Sequence, residues 1–118
     1  MRSSYALASL SLLALAGCHS AYVETTVSNR SSQTMRLIEV DYPSASFGTQ
    51  ALAPGADFHY RFKVLGEGKM KLIYTDAANQ EKKFEGPLLK ESSEGQLSII
   101  ITDTGADWKP GPKVLPAN

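Results

Sequence analysis

The chain has 118 residues, enough for one small domain. Twelve Lys and Arg balance twelve Asp and Glu, which excludes both the basic stripe of a nucleic-acid binder and an acidic disordered block. Cys18 is the only cysteine, so no intrachain disulfide forms and a domain of this size depends on its apolar core.

Met1-Arg2 is a short positive start, and Ala6 to Ala16 is apolar apart from Ser9 and Ser11. That run falls short of the ~20 residues a membrane-spanning helix needs. It fits the apolar region of a secretory signal, expected as a helix within residues 1–17. The segment ends in Leu15-Ala16-Gly17-Cys18, which resembles the lipobox of bacterial lipoproteins. The resemblance implies cleavage before Cys18, a diacylglycerol on its thiol and a further acyl chain, such as palmitate, on the new amino group. Each buried methylene then contributes ~0.8 kcal/mol to a covalent membrane anchor. His19, where retained inner-membrane lipoproteins commonly carry Asp, implies the outer membrane by analogy. The alternative is an ordinary signal peptide cut at the A-x-A site of Ala14 to Ala16, leaving Cys18 a free thiol.

After an anchored linker over residues 18–21, strand signals fill residues 22–103. Ala21 to Asn29 alternates and is rich in β-branched residues, and Met35 to Tyr42 places Ile38, Val40 and Tyr42 on one face. A polar turn at Asn29 to Gln33 makes the two read as a hairpin. Ser44 to Ala51 reads as a short edge strand around Phe47, weakened by Gly48. Pro54-Gly55 is a turn. Phe58 to Val64 has the cleanest period-two pattern, with Phe58, Tyr60, Phe62 and Val64 inward and His59, Arg61 and Lys63 outward. Met70, Leu72 and Tyr74 face the core from the next strand. Glu81 to Phe84 is a short charged edge strand, and Gln96 to Thr102 contributes Leu97, Ile99 and Ile101. Residues 104–118 are rich in glycine and proline and read as a flexible tail. About seven short strands without helical periodicity predict an all-β, antiparallel two-sheet sandwich, immunoglobulin-like in its topology.

The chemistry-bearing residues are few. Asp103-Thr104-Gly105 resembles the catalytic loop of retropepsin-type aspartic proteases, in which two such aspartates share a proton. That resemblance covers five to eight residues, and the short proline-rich stretch after Asp107 supplies no flap, so a strand end with a turn is the expectation. The two histidines, His19 and His59, do not have metal-ligand spacing. No metal or cofactor is expected. His59, Arg61 and Lys63 form a basic strip suited to an anionic group, with cross-strand pairing to Glu39, Asp41 or Glu81 as the plainer account. Phe47 and Trp108 fall outside the strong strand patterns and are the candidate exposed contacts. The combined reading is a non-enzymatic, membrane-anchored binding or structural module of the bacterial envelope, with a partner protein or polysaccharide. The alternatives are a periplasmic inhibitor presenting Ser44 to Thr49 or Gly66 to Gly68, an enzyme-accessory subunit, and remotely an aspartic-type protease.

Overall fold

A computed structural model of the chain describes residues 21–110. The signal segment, Cys18, His19 and the last eight residues lie outside the described residues. Eight strands run in chain order: Val23–Asn29 (β1), Met35–Tyr42 (β2), Ala45–Leu52 (β3), Asp57–Phe62 (β4), Gly68–Thr75 (β5), Glu81–Leu89 (β6), Gly95–Thr102 (β7) and Gly105–Pro110 (β8). They form two four-stranded sheets, ordered β4-β1-β7-β8 and β3-β2-β5-β6. The architecture is the all-β sandwich expected from the alternating pattern.

Pairing departs from the expectation in two places. β1 and β2 are not a hairpin, because they belong to different sheets. β1 instead pairs parallel with β7, Val27 opposite Ile99, and antiparallel with β4, Val27 opposite Phe58. The first sheet is therefore mixed. β7 carries no charge and β1 only Glu24, and both are rich in β-branched residues, which explains why they occupy its centre.

The core is the set of inward residues from both sheets. Val23, Val27, Leu97, Ile99 and Ile101 meet Val40, Met70, Leu72 and Leu89, and all are fully buried or nearly so. Each such side chain contributes about 1.5–3 kcal/mol on burial. Val64 is also buried, just past the end of β4.

The connections sort to two ends. Register places the β1–β2, β3–β4, β5–β6 and β7–β8 turns together, with Met35 opposite Leu52, Arg36 opposite Thr75 and Thr102 opposite Gly105. Val23, the start of the described sandwich, is opposite Phe62 and Gly95 at the other end. Asn29 stitches the turn-bearing end. It is fully buried, and its side-chain amide donates to the carbonyls of Leu52 (2.8 Å) and Gln33 (2.9 Å). Its side-chain oxygen accepts from the Ser31 hydroxyl (2.6 Å) and backbone N–H (3.0 Å). One residue thus ties β1 to β3 in the opposite sheet.

Residues 105–110 correct the expected tail. They form β8, antiparallel to β7, with Trp108 opposite Ile99. Trp108 packs against the core, and its ring leaves no room for a side chain at Gly86, where a Cβ would sit 2.6 Å from ring carbons. A tryptophan that covers an open sandwich side supplies the apolar content the segment otherwise lacks.

Candidate functional site

The four sheet edges differ in chemistry. β4 carries Asp57, His59 and Arg61; β6 carries four charged residues and Pro87; β8 carries Asp107 and Lys109 and ends in Pro110. Charge and proline are the devices that keep a strand edge from pairing with another chain. β3, Ala-Ser-Phe-Gly-Thr-Gln-Ala-Leu, has neither over eight residues. It is the terminal strand of its sheet, bonded to β2 on one side only. The expected charged edge at Glu81 exists, but as a nine-residue strand guarded in this way.

The strand beside β3 is irregular at one point. The β2–β5 register shifts between Arg36 and Glu39. Leu37 lies in this bulge with φ 51°, in the left-handed region, and is 59% exposed. A leucine there costs about 1–2 kcal/mol. It also sets an apolar side chain in water beside a shallow hollow of about 600 Å³ lined by Leu37, Glu39, Ser46, Gly48 and Gln50. Gly48 is opposite Glu39. A Cβ at Gly48 would collide with the Ile38 carbonyl oxygen, so the bulge and the glycine require each other.

Phe47 is not an exposed contact. It is 8% exposed and central to an aromatic seam where β3 lies over β4. Its ring stacks on Tyr60 with centroids 4.4 Å apart and lies 5.9–6.1 Å from Phe62, Tyr42 and Phe58. Tyr42 stacks on Phe62 at 4.0 Å. The seam at the edge leaves Tyr60 41% exposed, although its pattern position faces inward. Trp108 is half-buried, and its indole N–H is buried without a hydrogen-bond partner among the described residues. Ser44 to Thr49 is not a protruding loop, because β3 begins at Ala45.

The basic strip exists on the outer face of β4, with partners other than those expected. β4 pairs with β1, so Arg61 meets Glu24 (3.8 Å) and lies over the Tyr22 ring, 4.2 Å from its centroid. His59 Nδ1 is 3.0 Å from the Thr26 hydroxyl. Glu39, Asp41 and Glu81 belong to the other sheet and cannot pair with the strip. Lys63 is exposed, beyond the end of β4. Asp57 is held below the ordinary carboxylate range, first by the Ser28 hydroxyl and then by Arg30, whose guanidinium is 3.0 Å away; partial desolvation opposes both.

Asp103 sits in the β7–β8 turn. Its carboxylate accepts from the Ser32 backbone N–H and the Ser32 hydroxyl, both at 2.8 Å. These bonds, the backbone one first, hold its carboxyl below the usual range. Asp107 is exposed on β8, opposite Ile100. Among the described residues no three His, Cys, Asp or Glu side chains converge as metal ligands.

On the outer face of the other sheet, Glu39 and Asp41 alternate along β2. The Glu39 carboxyl is raised above its ordinary value, first by its hydrogen bond with Asp41, then by the Asp41 charge, slight burial and the Glu81 charge.

No protein-family model matches the chain, and no curated protein matches it. Among solved structures, the NMR structure of a protein from Eubacterium rectale is similar with a TM-score of 0.57 at 10% identity, covering 78% of this chain and 89% of that one. At that identity the likeness shows a shared sandwich fold and carries no function.

Proposed function

We propose that this protein is a non-enzymatic lipoprotein of the bacterial outer membrane that captures an extended segment of another envelope protein along β3. The observation that carries the reading is the unguarded edge: eight uncharged residues without proline, open on one side, beside a strained and exposed Leu37. An added strand gains main-chain hydrogen bonds from such an edge, and alternate side chains supply selectivity. A polysaccharide has no comparable ladder of amides, so a protein segment fits the edge better. The lipobox-like Leu15 to Cys18 supports anchoring. Val23 follows Cys18 by five residues, a reach of ~18 Å at most, so the turn-bearing end projects away from the anchor. Asp103 supports the non-enzymatic reading, because its carboxylate serves as a ligand joining two turns.

Two measurements test this. Mass spectrometry of the native N-terminus should find a triacylated Cys18; an unmodified thiol overturns the anchoring. A photo-crosslinking residue at Gln50, on β3, should form one defined adduct in cells, mapping to an extended peptide of an envelope protein; the same residue at Lys83, on β6, should not. Leu37→Asn should abolish the adduct while raising stability by about 1 kcal/mol, because asparagine tolerates the left-handed region. Equal labelling at both edges, or none at Gln50, overturns the docking site.

A further inference from the structure

The hollow beside β3 has a chemical asymmetry that selects among extended segments. Its apolar side is Leu37, and its acidic side is Glu39. Glu39 has Asp41 two residues along the same strand face. Across the sheet they oppose Ile73 and Lys71 of β5. Apart from Lys71, the basic groups of this face that lie near the pair are engaged: Lys69 with Glu85 at 3.4 Å, Lys83 with Glu81 at 3.5 Å, and Arg36 with Asn79 at 3.0 Å. Lys71 opposes Asp41 in register, yet no ion pair within 4.0 Å joins any cation to Glu39 or Asp41 among the described residues. The two acids are left facing each other, which is why the Glu39 carboxyl is raised.

Gly48 lies between Glu39 and the open side of β3, and Ser46 between Asp41 and that side. Gly48 has no side chain to block the way, and the bulge forbids one. Ser46 and Gln50, its neighbours on that face, are uncharged. A strand added to β3 would run one spacing beyond it, about 10 Å from β2. A short side chain on that strand cannot cross to Glu39, whereas a long one passes over Gly48.

We propose that the segment docked on β3 carries an arginine or lysine opposite Gly48, whose cationic head crosses the glycine to Glu39 and Asp41. The inference rests on the docking reading above and names the chemistry of its occupant. Two carboxylates on one face suit a guanidinium, which donates to both in a planar fork; an ammonium gains the charge term alone. The stem of either side chain lies along Leu37, covering apolar surface that is now in water. The same arrangement disfavours an acidic segment and gives the β3 edge its selectivity. A second copy pairing through its own β3 does not meet the requirement, since β3 carries no basic residue to place opposite Gly48.

The test uses the detergent-purified full chain and a set of short, otherwise uncharged β-forming peptides whose central residue is Arg, Lys, Leu or Glu. Binding is read by fluorescence anisotropy, and strand addition by amide-exchange protection of β3. The Arg peptide should bind about tenfold more tightly than the Leu peptide, Lys in between and Glu weakest. The Arg preference should shrink with added salt and disappear in Glu39→Gln, at an exposed position, and in Asp41→Asn, at a half-buried one, both outside the core. Protection of β3 by all peptides with equal affinity overturns the basic anchor and leaves strand docking standing. Absence of β3 protection with every peptide, or a β3-to-β3 dimer in sedimentation, overturns both.

Discussion

Asn29 shows how much one side chain can decide. It is polar and fully buried, and its four hydrogen bonds connect β1, the β1–β2 turn and the end of β3. A buried amide removed without replacement takes its donor from the Leu52 carbonyl, while the Gln33 carbonyl keeps only the Ser31 hydroxyl. Asn29→Ala should therefore cost about 3 kcal/mol, measured by urea unfolding; a cost below ~1 kcal/mol would mean that water takes over these bonds. The residue was legible only as a strand end. Nothing local distinguishes an asparagine that turns the chain from one that staples two sheets, because its partners lie up to 23 positions away. The sequence does carry a trace of the bulge at Leu37. Met35 and Ile38 are both buried, three residues apart, and a strand with period two cannot bury both without an extra residue between them. The offset in Met-Arg-Leu-Ile-Glu-Val was the bulge, written in the pattern.

At the level of elements, the sandwich has two open sides, and one aromatic residue is central to the closure of each. Phe47 on β3 meets the rings of β4, and Trp108 on β8 covers Gly86 of β6. Phe47→Ala and Trp108→Ala should each cost about 3–5 kcal/mol. The two rings stand at opposite edges of the sheets, so the losses should add to within ~0.5 kcal/mol in a double-mutant cycle by denaturant unfolding. A large coupling would mean that the seams report on one packed layer instead. In the sequence both residues look like exposed contacts for the same reason. They stand among glycine, proline and polar neighbours, and strand propensity is a weak signal when a single large ring supplies the burial. Conversely, the strong alternation of β1, β2, β4, β5 and β7 located five strands from residues alone. Which strands adjoin was not legible, since β1 is equally suited to a hairpin with β2 and to the centre of the other sheet.

For the whole molecule, the turn-bearing end is held together by Asp103, which joins the β7–β8 turn to the β1–β2 turn. Its folded-state pKa is depressed below the ordinary value of 3.8. The stabilisation is thus present above that value and is lost as the pH falls through the folded pKa. Asp103→Asn should be less stable than the parent at neutral pH and converge with it only as the pH falls from 3.8 through the folded pKa, in thermal unfolding followed across the acid range. Parallel acid limbs would show that the carboxylate does not brace the turns. This assigns the DTG stretch a load between loops, a role visible only once Ser32 is brought 71 positions back along the chain to meet it.

Residue order alone determined the all-β class, the two-layer arrangement and the identity of most of the core, because a period-two pattern must bury one face and two sheets are the way to do so. It also carried the lipobox-like start, a contiguous motif that needs no folding to be recognised. Tertiary structure alone decided which edge stays open, which acids have no cation beside them among the described residues and which rings close the sides. Those properties belong to pairs of strands, and pairing depends on contacts between residues far apart in the chain, which no local pattern encodes.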